Sequence, residues 1–396
     1  MKRLKDICKK IEYGYTATAS ENEIGPKFLR ITDIQNKFIN WEDVPYCEID
    51  KGNYKKYKLF RHDILISRTG ASTGTNTIIY DYPPNAVFAS YLIRLIIEEN
   101  YNPLFVHYFL QSRYYKNYIS SILGGSAQPN ANAQELTNVS FPLLGKEYQD
   151  KVSDILYSFD KSIQINNIIS KLLQQIAQLL FKHWFIDFEF SNEQGKPYKS
   201  SGGEFTDSEL GKIPKGWTIK KLGSVFNISW GDTSTTKKSY IKKGYKAYSA
   251  SGLDGYLDHY DYDCTGIIIS AIGAYSGQTW YANGKWSCIK NTIRIIPNKT
   301  DENLIPYLYY MSKHRKLWQI RGSAQPFISQ TDTRNIIIYF PPEKIIKEFA
   351  RITLTLLNYI NKITEQNNLL SEIRDLLLPK LITGKIRVNL VDIKES

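Results

Sequence analysis

The side chains best suited to chemistry in this sequence are four cysteines, five histidines and the residues around two glycine-rich turns. The cysteines stand at 8, 47, 264 and 288 with no close pair, which indicates reduced thiols rather than a zinc site or a disulfide framework. The histidines form no His-x-x-x-His pair, and no Gly-x-Ser-x-Gly motif is present. The turns at 70–74 and 273–277 lack the lysine of a phosphate-binding loop. We therefore expect no catalytic centre, no metal and no cofactor on this chain.

Composition indicates a folded protein with a basic excess. The chain has 396 residues, of which 42% are hydrophobic and 23% charged, and this length favours two or three domains. Lysine plus arginine number 51 against 39 acidic residues, a net charge of +12 that suits a polyanion such as nucleic acid. The start of the chain is charged, and no run approaches the roughly 18 apolar residues of a membrane span. We expect a cytoplasmic protein that is not bound to a membrane.

An internal duplication organises the chain. The pentapeptide Gly125–Pro129 returns letter for letter as Gly322–Pro326, an offset of 197 residues. The same offset superposes apolar residues at helical spacing, including Leu172 on Leu369 and Leu179 on Leu376. Two independent signals at one offset predict two similar halves, each a globular unit followed by a helix.

The globular units repeat a strand and a turn. Ile64–Gly74 corresponds to Ile267–Gly277, and each segment is an apolar, β-branched strand that runs into a glycine-rich turn. Residues within the turns differ, since Arg68 corresponds to Ala271 and Thr69 to Ile272. A shared scaffold with different turn chemistry fits two domains that recognise different targets, although drift after duplication would produce the same difference.

Two long amphipathic helices complete the pattern. Apolar residues recur at steps of three and four in both, with no interior glycine, and antiparallel pairing would place the globular units at opposite ends of the pair. The expected boundaries are a first unit at 1–146, a helix at 147–190, a linker at 191–211, a second unit at 212–342, a helix at 343–390 and a tail at 391–396. Net charge is +4 in the first unit and +10 in the second.

Several local strings make the whole chain similar to one known family. They are Trp184–Phe190 at the end of the first helix, Gly195–Gly203 in the linker, Ile213–Trp217 before the second unit and Leu381–Arg387 after the second helix. Together they resemble the specificity subunit of type I restriction-modification systems. The resemblance implies an α+β fold: two α/β target-recognition domains separated by two long antiparallel helices that form a coiled coil, with a pseudo-twofold internal duplication.

The resemblance also implies a function and partners. Each target-recognition domain would bind one half of a bipartite, asymmetric sequence in double-stranded DNA. The paired helices would set the gap between the two halves of the DNA sequence and would dock two adenine-N6 methyltransferase subunits. ATP-driven restriction subunits would join this core. S-adenosylmethionine, ATP and Mg²⁺ would all be held by those partners. A docking bundle is expected to keep an exposed apolar strip, for which Ile165, Phe181 and Phe185 are candidates.

Residue type guides the choice of DNA contacts, because arginine favours guanine, asparagine and glutamine favour adenine, and lysine, serine and threonine mostly hold phosphates. The candidates in the first unit are Lys27, Arg30, Arg68, Thr69, Ser72, Thr73, Gln128 and Asn130. The candidates in the second unit are Lys246, Tyr248, Ser249, Tyr275, Ser276, Lys290, Asn291 and Gln325. Two other functions stay open, a stand-alone regulator that binds a bipartite DNA site and a coiled-coil scaffold that binds no DNA.

Overall fold

The computed structural model describes residues 2–124, 129–298, 301–314, 317–386 and 388. The chain divides into two compact units. Unit 1 comprises residues 1–167 and 364–396, and unit 2 comprises residues 168–363. Each unit therefore contains a globular part and a portion of both long helices. Within the described ranges, no helix combines the length and the apolar character needed to span a membrane.

Unit 1 begins with eight strands and four short helices. The strands are β1 (Lys2–Arg3), β2 (Cys8–Tyr13), β3 (Lys27–Leu29), β4 (Ile64–Ser67), β5 (Asn76–Ile78), β6 (Ala86–Phe88), β7 (Leu92–Ile97) and β8 (Ser140–Phe141). The helices are α1 (Lys51–Tyr57), α2 (Pro103–Gln111), α3 (Arg113–Leu123) and α4 (Ala133–Thr137), followed by the long helix α5 (Lys146–Phe185), which continues into unit 2.

Unit 2 contains the remaining elements. Its strands are β9 (Phe205–Thr206), β10 (Ile213–Pro214), β11 (Thr218–Lys221), β12 (Phe226–Trp230), β13 (Tyr245–Ser249), β14 (Gly252–Leu257), β15 (Tyr262–Asp263), β16 (Gly266–Ser270), β17 (Thr279–Ala282), β18 (Lys285–Cys288), β19 (Thr292–Pro297), β20 (Ile320–Arg321), β21 (Phe327–Ile328) and β22 (Ile337–Phe340). Its helices are α6 (Leu222–Val225), α7 (Leu304–His314), α8 (Gln330–Asn335) and the start of α9 (Glu343–Ile382), which returns to unit 1.

The strand order confirms the duplication. Unit 1 has an antiparallel sheet of order β2-β7-β4-β5, and unit 2 has the equivalent sheet β12-β19-β16-β17. A parallel pair, β3 with β6, has its counterpart in β13 with β18. The strand pair β1 with β8 likewise corresponds to β11 with β22. The two halves therefore share these strand pairings, although β14 and β15 extend the parallel pair of unit 2 to a sheet of four strands. The mixture of helices and sheets agrees with the predicted α+β fold.

The central strand of each sheet is apolar on both faces because it lies between two hydrophobic layers. In β4, Ile64 and Ile66 pack toward the helices of unit 1, whereas Leu65 packs into a second cluster with Leu29 and Phe88. Side chains alternate along a strand, so an uninterrupted apolar run fits a strand that is buried on both sides. The same division occurs in β16 of unit 2.

The long helices pair antiparallel within each unit. In unit 1, the Asp160 carboxylate of α5 contacts Arg374 of α9, and Asn167 contacts Asn367, so residue numbers rise along one helix as they fall along the other. In unit 2, the Phe185 and Phe349 rings pack edge to face at 4.9 Å between centroids. Apolar stripes on both helices are buried by this pairing.

Both long helices end earlier than the expected boundaries at 190 and 390. Helix α5 ends at Phe185, and Phe188 then takes a positive φ of 58° that turns the chain away. Helix α9 ends at Ile382 and is followed by Gly384 with a φ of 69°. The expected tail at 391–396 lies outside the described residues.

The segment expected to be a simple connector packs into unit 2. Phe190 stacks on Tyr198 with ring centroids 4.7 Å apart and contacts Trp217 at 5.4 Å. Tyr198 and Leu210 of the linker therefore pack against the hydrophobic core of unit 2, next to Phe190. The polar and glycine-rich composition of the linker predicted no packing, because few of its residues are aromatic and those few make the contacts.

Stability of unit 1 is expected to fall as the pH drops below 6.5 because of His107. This residue of α2 is buried, and its Nε2 lies 3.1 Å from the Tyr80 hydroxyl. Burial, with a contribution from the Lys37 charge, lowers the pKa of His107 to about 3. The unfolded state, with a histidine pKa of about 6.5, binds a proton that the folded state excludes, so acid favours unfolding.

We expect this histidine to cost about 2 kcal/mol of unfolding free energy between pH 7 and pH 5. Chemical denaturation of the protein and of His107→Phe at both pH values measures this. The substituted protein should lose that part of the pH dependence. Equal pH dependence in the two proteins would contradict the assignment.

Candidate nucleic-acid interface

A tight glycine turn follows the central strand of unit 1. Gly70 has a φ of 71°, a conformation that favours glycine. Its N–H donates to the Pro129 carbonyl over 2.8 Å, and the Thr73 N–H donates back to the Gly70 carbonyl over 3.0 Å. The Ala131 N–H donates to the Arg68 carbonyl over 2.9 Å. These bonds fix the turn against Pro129, the last residue of the first pentapeptide, and against Ala131 just after it.

The turn of unit 2 repeats this geometry bond by bond. Gly273 has a φ of 98°, and its N–H donates to the Pro326 carbonyl over 2.9 Å. The Ser276 N–H donates to the Gly273 carbonyl over 3.0 Å, and the Ile328 N–H donates to the Ala271 carbonyl over 2.8 Å. The structure therefore agrees with the turn correspondence predicted from the sequence.

Matching hydrogen bonds and strand registers define five pairs of equivalent positions around the turns. The pairs are Tyr13 and Trp230, Arg68 and Ala271, Thr69 and Ile272, Tyr91 and Asn291, and Asn130 and Phe327. We call the first members face 1, in unit 1, and the second members face 2, in unit 2. The backbone hydrogen bonds and strand pairings that define these positions match in the two faces, although Asn291 has a positive φ of 69° that Tyr91 lacks. The side chains differ at every position.

Face 1 presents hydrogen-bonding and aromatic groups. The Arg68 guanidinium lies over the Tyr13 ring, 5.0 Å from its centroid. The Tyr13 hydroxyl accepts a hydrogen bond from the Ala133 N–H over 3.0 Å, which holds the ring in place. Tyr91 and Asn130 are exposed beside them. Such a set can stack on a base and donate to its edge.

Face 2 is more apolar, and a basic cleft accompanies it. The cleft of about 460 Å³ is lined by polar and basic residues of unit 2, which include Thr236, Lys237, Lys238, Ser249, Ser251, Lys290 and Asn291. Asp232 orders the loop on one side of the cleft, because its carboxylate accepts hydrogen bonds from the Ser234 and Thr235 N–H groups, each over 2.9 Å. The hydrogen bonds from Thr235 and Ser234 also lower the pKa of this carboxyl to about 2. Lysines and hydroxyls around a cleft are suited to phosphate contacts.

Comparison with known proteins assigns the chain to a family. A sequence model of the family described as type I restriction modification DNA specificity domain matches residues 1–177 and 214–373. The chain belongs to this type I restriction-modification specificity family. Each matched segment contains one of the two faces, so this specificity subunit has two target-recognition domains.

Relatives and solved structures agree with this family. The chain is similar to the type I restriction enzyme MjaIX specificity subunit of Methanocaldococcus jannaschii, with 26% identity over 306 residues, covering 72% of this chain and 69% of that protein. It is also similar to the HindI specificity subunit of Haemophilus influenzae, with 24% identity, covering 97% and 98%. The solved S subunit from M. genitalium has a similar fold, with a TM-score of 0.64 and 16% identity, covering 96% and 95%.

Some of the predicted contacts of this specificity subunit lie together at the faces or the cleft. Arg68, Thr69 and Asn130 belong to face 1. Asn291 belongs to face 2, and it lines the cleft with Lys290. Ser249 also borders the cleft, but it is buried and its hydroxyl donates to the Asp254 carboxylate over 2.6 Å. The predicted contact Tyr275 is exposed in the glycine turn of unit 2. The predicted contact Gln325 is also exposed, two residues before Phe327 of face 2.

Other predicted contacts have side chains that stabilise the fold. Arg30 makes two hydrogen bonds to Asp33, of 3.1 and 3.0 Å, and Lys27 donates to the Val44 carbonyl over 2.7 Å. The Thr73 hydroxyl donates to the Gly70 carbonyl of its own turn, and the Ser276 hydroxyl donates to the Pro326 carbonyl of the second pentapeptide, each over 2.8 Å. Tyr248 is buried against Trp286, 6.3 Å between ring centroids.

Three predicted contacts, Ser72, Lys246 and Gln128, belong neither to a face nor to the cleft. The Ser72 hydroxyl, in the glycine turn, accepts from the Gln35 side chain over 3.3 Å. Lys246 lies in β13 and is half-buried. Gln128 lies outside the described residues.

Sequence reasoning missed the aromatic members of the faces, although the sequence carries a signal for two of them. Tyr13 precedes Gly14, and Trp230 precedes Gly231, each at the end of an equivalent strand. A Cβ on Gly14 would lie 2.2 Å from the Ala89 carbonyl oxygen, and one on Gly231 would lie 2.4 Å from the Ile289 carbonyl oxygen. An aromatic residue followed by an obligatory glycine therefore marks this position in both halves.

The cysteines are free, as expected, and two of them, Cys47 and Cys288, are buried. Burial raises the pKa of Cys47 to about 11 and that of Cys288 to about 12, so both remain thiols at neutral pH. Within the described ranges, no group of three or more metal-binding side chains comes together.

Proposed function

We propose that this chain is the noncatalytic DNA-recognition subunit of a type I restriction-modification enzyme, and that its two target-recognition domains bind the two halves of a bipartite, asymmetric sequence. The observation that carries this proposal is the pair of faces. They share one pattern of backbone hydrogen bonds and strand pairing and differ in side chain at all five positions. Two similar scaffolds with different surface chemistry suit two different half-sites.

Charge supports DNA as the ligand of both units. The segment 1–146 has a net charge of +4, and the segment 212–342 has a net charge of +10. Phosphate contacts supply most of the sequence-independent affinity for DNA, and the exposed Lys238 and Lys290 at the cleft of unit 2 are suited to such contacts. A scaffold that binds no DNA would have no need of this excess.

The long helices carry two equivalent exposed apolar strips. On α5, Leu172 and Leu179 are 51% and 66% exposed, and on α9 their counterparts Leu369 and Leu376 are 57% and 69% exposed. Each pair is spaced by seven residues, about two helical turns, so its members lie on one side of the helix. Phe181 and Phe185, predicted to be exposed, are instead buried in unit 2, while Ile165 is exposed.

We propose that each strip docks one methyltransferase subunit, because two equal apolar surfaces suit two copies of one partner. Restriction subunits would join the same complex. S-adenosylmethionine, ATP and Mg²⁺ would then be bound by these partners, and the complex would act in the cytoplasm. A stand-alone regulator of a bipartite site would share the duplication and the charge, but the paired strips favour a chain with partners.

Leu172→Glu is expected to remove one of the two docking sites. A charge at the centre of an apolar contact should cost about 2 kcal/mol or more, at least about 30-fold in affinity. Light scattering of the complex with purified methyltransferase should show two bound copies for the parent chain, one for Leu172→Glu and none for Leu172→Glu with Leu369→Glu. Gln174→Glu, which adds the same charge at a neighbouring exposed position, should still bind two. Two copies on the double variant would rule out the strips as docking sites.

Expression of the chain with its methyltransferase, followed by mapping of methylated adenines in cellular DNA, tests the function. We expect one motif with two defined half-sites separated by a gap of unspecified bases. The purified chain alone should transfer no methyl group. Methyl transfer by a preparation free of partner subunits, or a motif without two halves, would refute the proposed function.

A further inference from the structure

Arg68 differs from the neighbouring arginines of unit 1 in having no carboxylate partner among the described residues. Arg30 is bound by Asp33, and Arg94 is bound by Glu12 and Asp63. The Nε of Arg68, in contrast, is buried and has no hydrogen-bond partner within the described part of the chain. A buried donor without a partner is costly, and the described residues give Arg68 no ion pair of the kind that holds Arg30 and Arg94.

The fold holds Arg68 in one orientation. Its N–H donates to the Tyr91 carbonyl over 3.0 Å, and its carbonyl accepts from the Ala131 N–H over 2.9 Å. The guanidinium lies over Tyr13, whose hydroxyl accepts from Ala133. The backbone and the side chain of Arg68 are therefore both positioned before any ligand binds. This reduces the conformational entropy that Arg68 would lose on binding.

We propose that Arg68 recognises a guanine in the half-site bound by unit 1. The guanidinium presents parallel donors that match the O6 and N7 acceptors of guanine in the major groove. Arg68 is half-buried beside Tyr13, and no carboxylate among the described residues forms an ion pair with its guanidinium. This inference rests on the proposed function and deepens it by naming the base.

The equivalent position of unit 2 supports a role in specificity rather than in folding. Ala271 stands there with the same backbone hydrogen bonds, to Asn291 and from Ile328. The turn therefore forms without an arginine. Its neighbours Ile272 and Phe327 are apolar, so face 2 lacks a guanidinium and offers no counterpart of this contact. The two half-sites should accordingly differ at this position.

Methylated-motif mapping with Arg68→Ala tests the assignment, with Arg113→Ala as a control that removes an equal charge from an exposed position of the same unit. The parent half-site of unit 1 should contain a guanine. Arg68→Ala should relax that one position, lowering discrimination about 5- to 150-fold, and should leave the other half-site unchanged. Arg113→Ala should keep the parent motif. A unit 1 half-site without a G·C pair, or an unrelaxed motif in Arg68→Ala, would overturn the proposal.

A second measurement covers the case in which Arg68→Ala methylates no DNA. The parent complex is tested for binding to duplexes in which each guanine of the unit 1 half-site is replaced in turn by 7-deazaguanine, which lacks the N7 acceptor. Weakened binding at one guanine supports the proposal, and undiminished binding at all of them overturns it. Failure of the proposed function would look different, because the parent complex would then give no bipartite motif at all.

Discussion

Replacing Asp160 with alanine is expected to lower the unfolding free energy of unit 1 by about 3–5 kcal/mol. The Asp160 carboxylate is fully buried on α5. It accepts hydrogen bonds from Lys37 Nζ at 2.5 Å, from Arg374 at 2.8 Å and from the Tyr108 hydroxyl at 2.6 Å. One carboxylate therefore ties the globular part of unit 1 to both long helices.

The loss is large because alanine leaves Lys37 without its counter-charge and removes one of the two carboxylates that pair with Arg374. Burial already lowers the pKa of Lys37, and the nearby Asp160 carboxylate opposes that effect. Removing one partner of a buried ion pair lowers the unfolding free energy by far more than the intact pair contributes to it after the cost of desolvation. Arg374 retains a second carboxylate, Asp375, but Lys37 does not have one among the described residues.

Asp375→Ala provides the matched control. Asp375 also pairs with Arg374, at 2.7 Å, but its side chain is 64% exposed, and exposed ion pairs contribute about 1 kcal/mol or less. Chemical denaturation should thus separate the two variants by at least about 2 kcal/mol. Equal stabilities would show that the buried cluster does not hold unit 1 together.

The equivalent helix positions of unit 2 hold apolar residues instead of this charged pair. At the offset of 197, Asp160 corresponds to Leu357 and Arg374 corresponds to Ala177, and both counterparts are buried in the core of unit 2. Unit 2 therefore joins its helices by apolar packing where unit 1 uses charges. Replacement of a buried ion pair by well-packed apolar residues is physically permitted, since desolvation offsets much of the Coulomb energy of the pair.

Regular features of the fold were predictable from the sequence because they depend on periodicity and repetition. The helical spacing of Leu172, Leu179, Leu369 and Leu376 predicted two long helices, and the repeated apolar run before each glycine turn predicted the central strands β4 and β16. These signals depend on hydrophobic burial, which acts on many residues together.

Side-chain placement was less predictable because it depends on single contacts. Arg30 was a reasonable DNA contact by type, yet Asp33 lies three residues later and binds it. Phe181 and Phe185 lie on a helix stripe that the spacing alone could not assign to core or surface, and aromatic residues of unit 2 cover them. Tyr13 and Trp230 were missed because only the pairing of β2 with β7 and of β12 with β19, between residues far apart in the sequence, brings them beside the glycine turns.

Exchange of residues 212–342 for the same segment of another family member is expected to replace one half-site completely and preserve the other. Each face is built from its own unit, and the segment carries all five positions of face 2. The graft must keep an aromatic residue at Trp217 and at Tyr307, because both pack on Phe185 of α5, at 6.0 and 4.8 Å between ring centroids. With these contacts preserved, the foreign domain should fold on the existing helices.

Mapping of methylated adenines in cells that express this exchanged chain with its methyltransferase is the most direct test of two independent target-recognition domains on one chain. The account predicts a motif in which the half-site of unit 1 is unchanged and the other half-site is that of the donor. A methylated motif in which both half-sites change, or in which neither does, would contradict it.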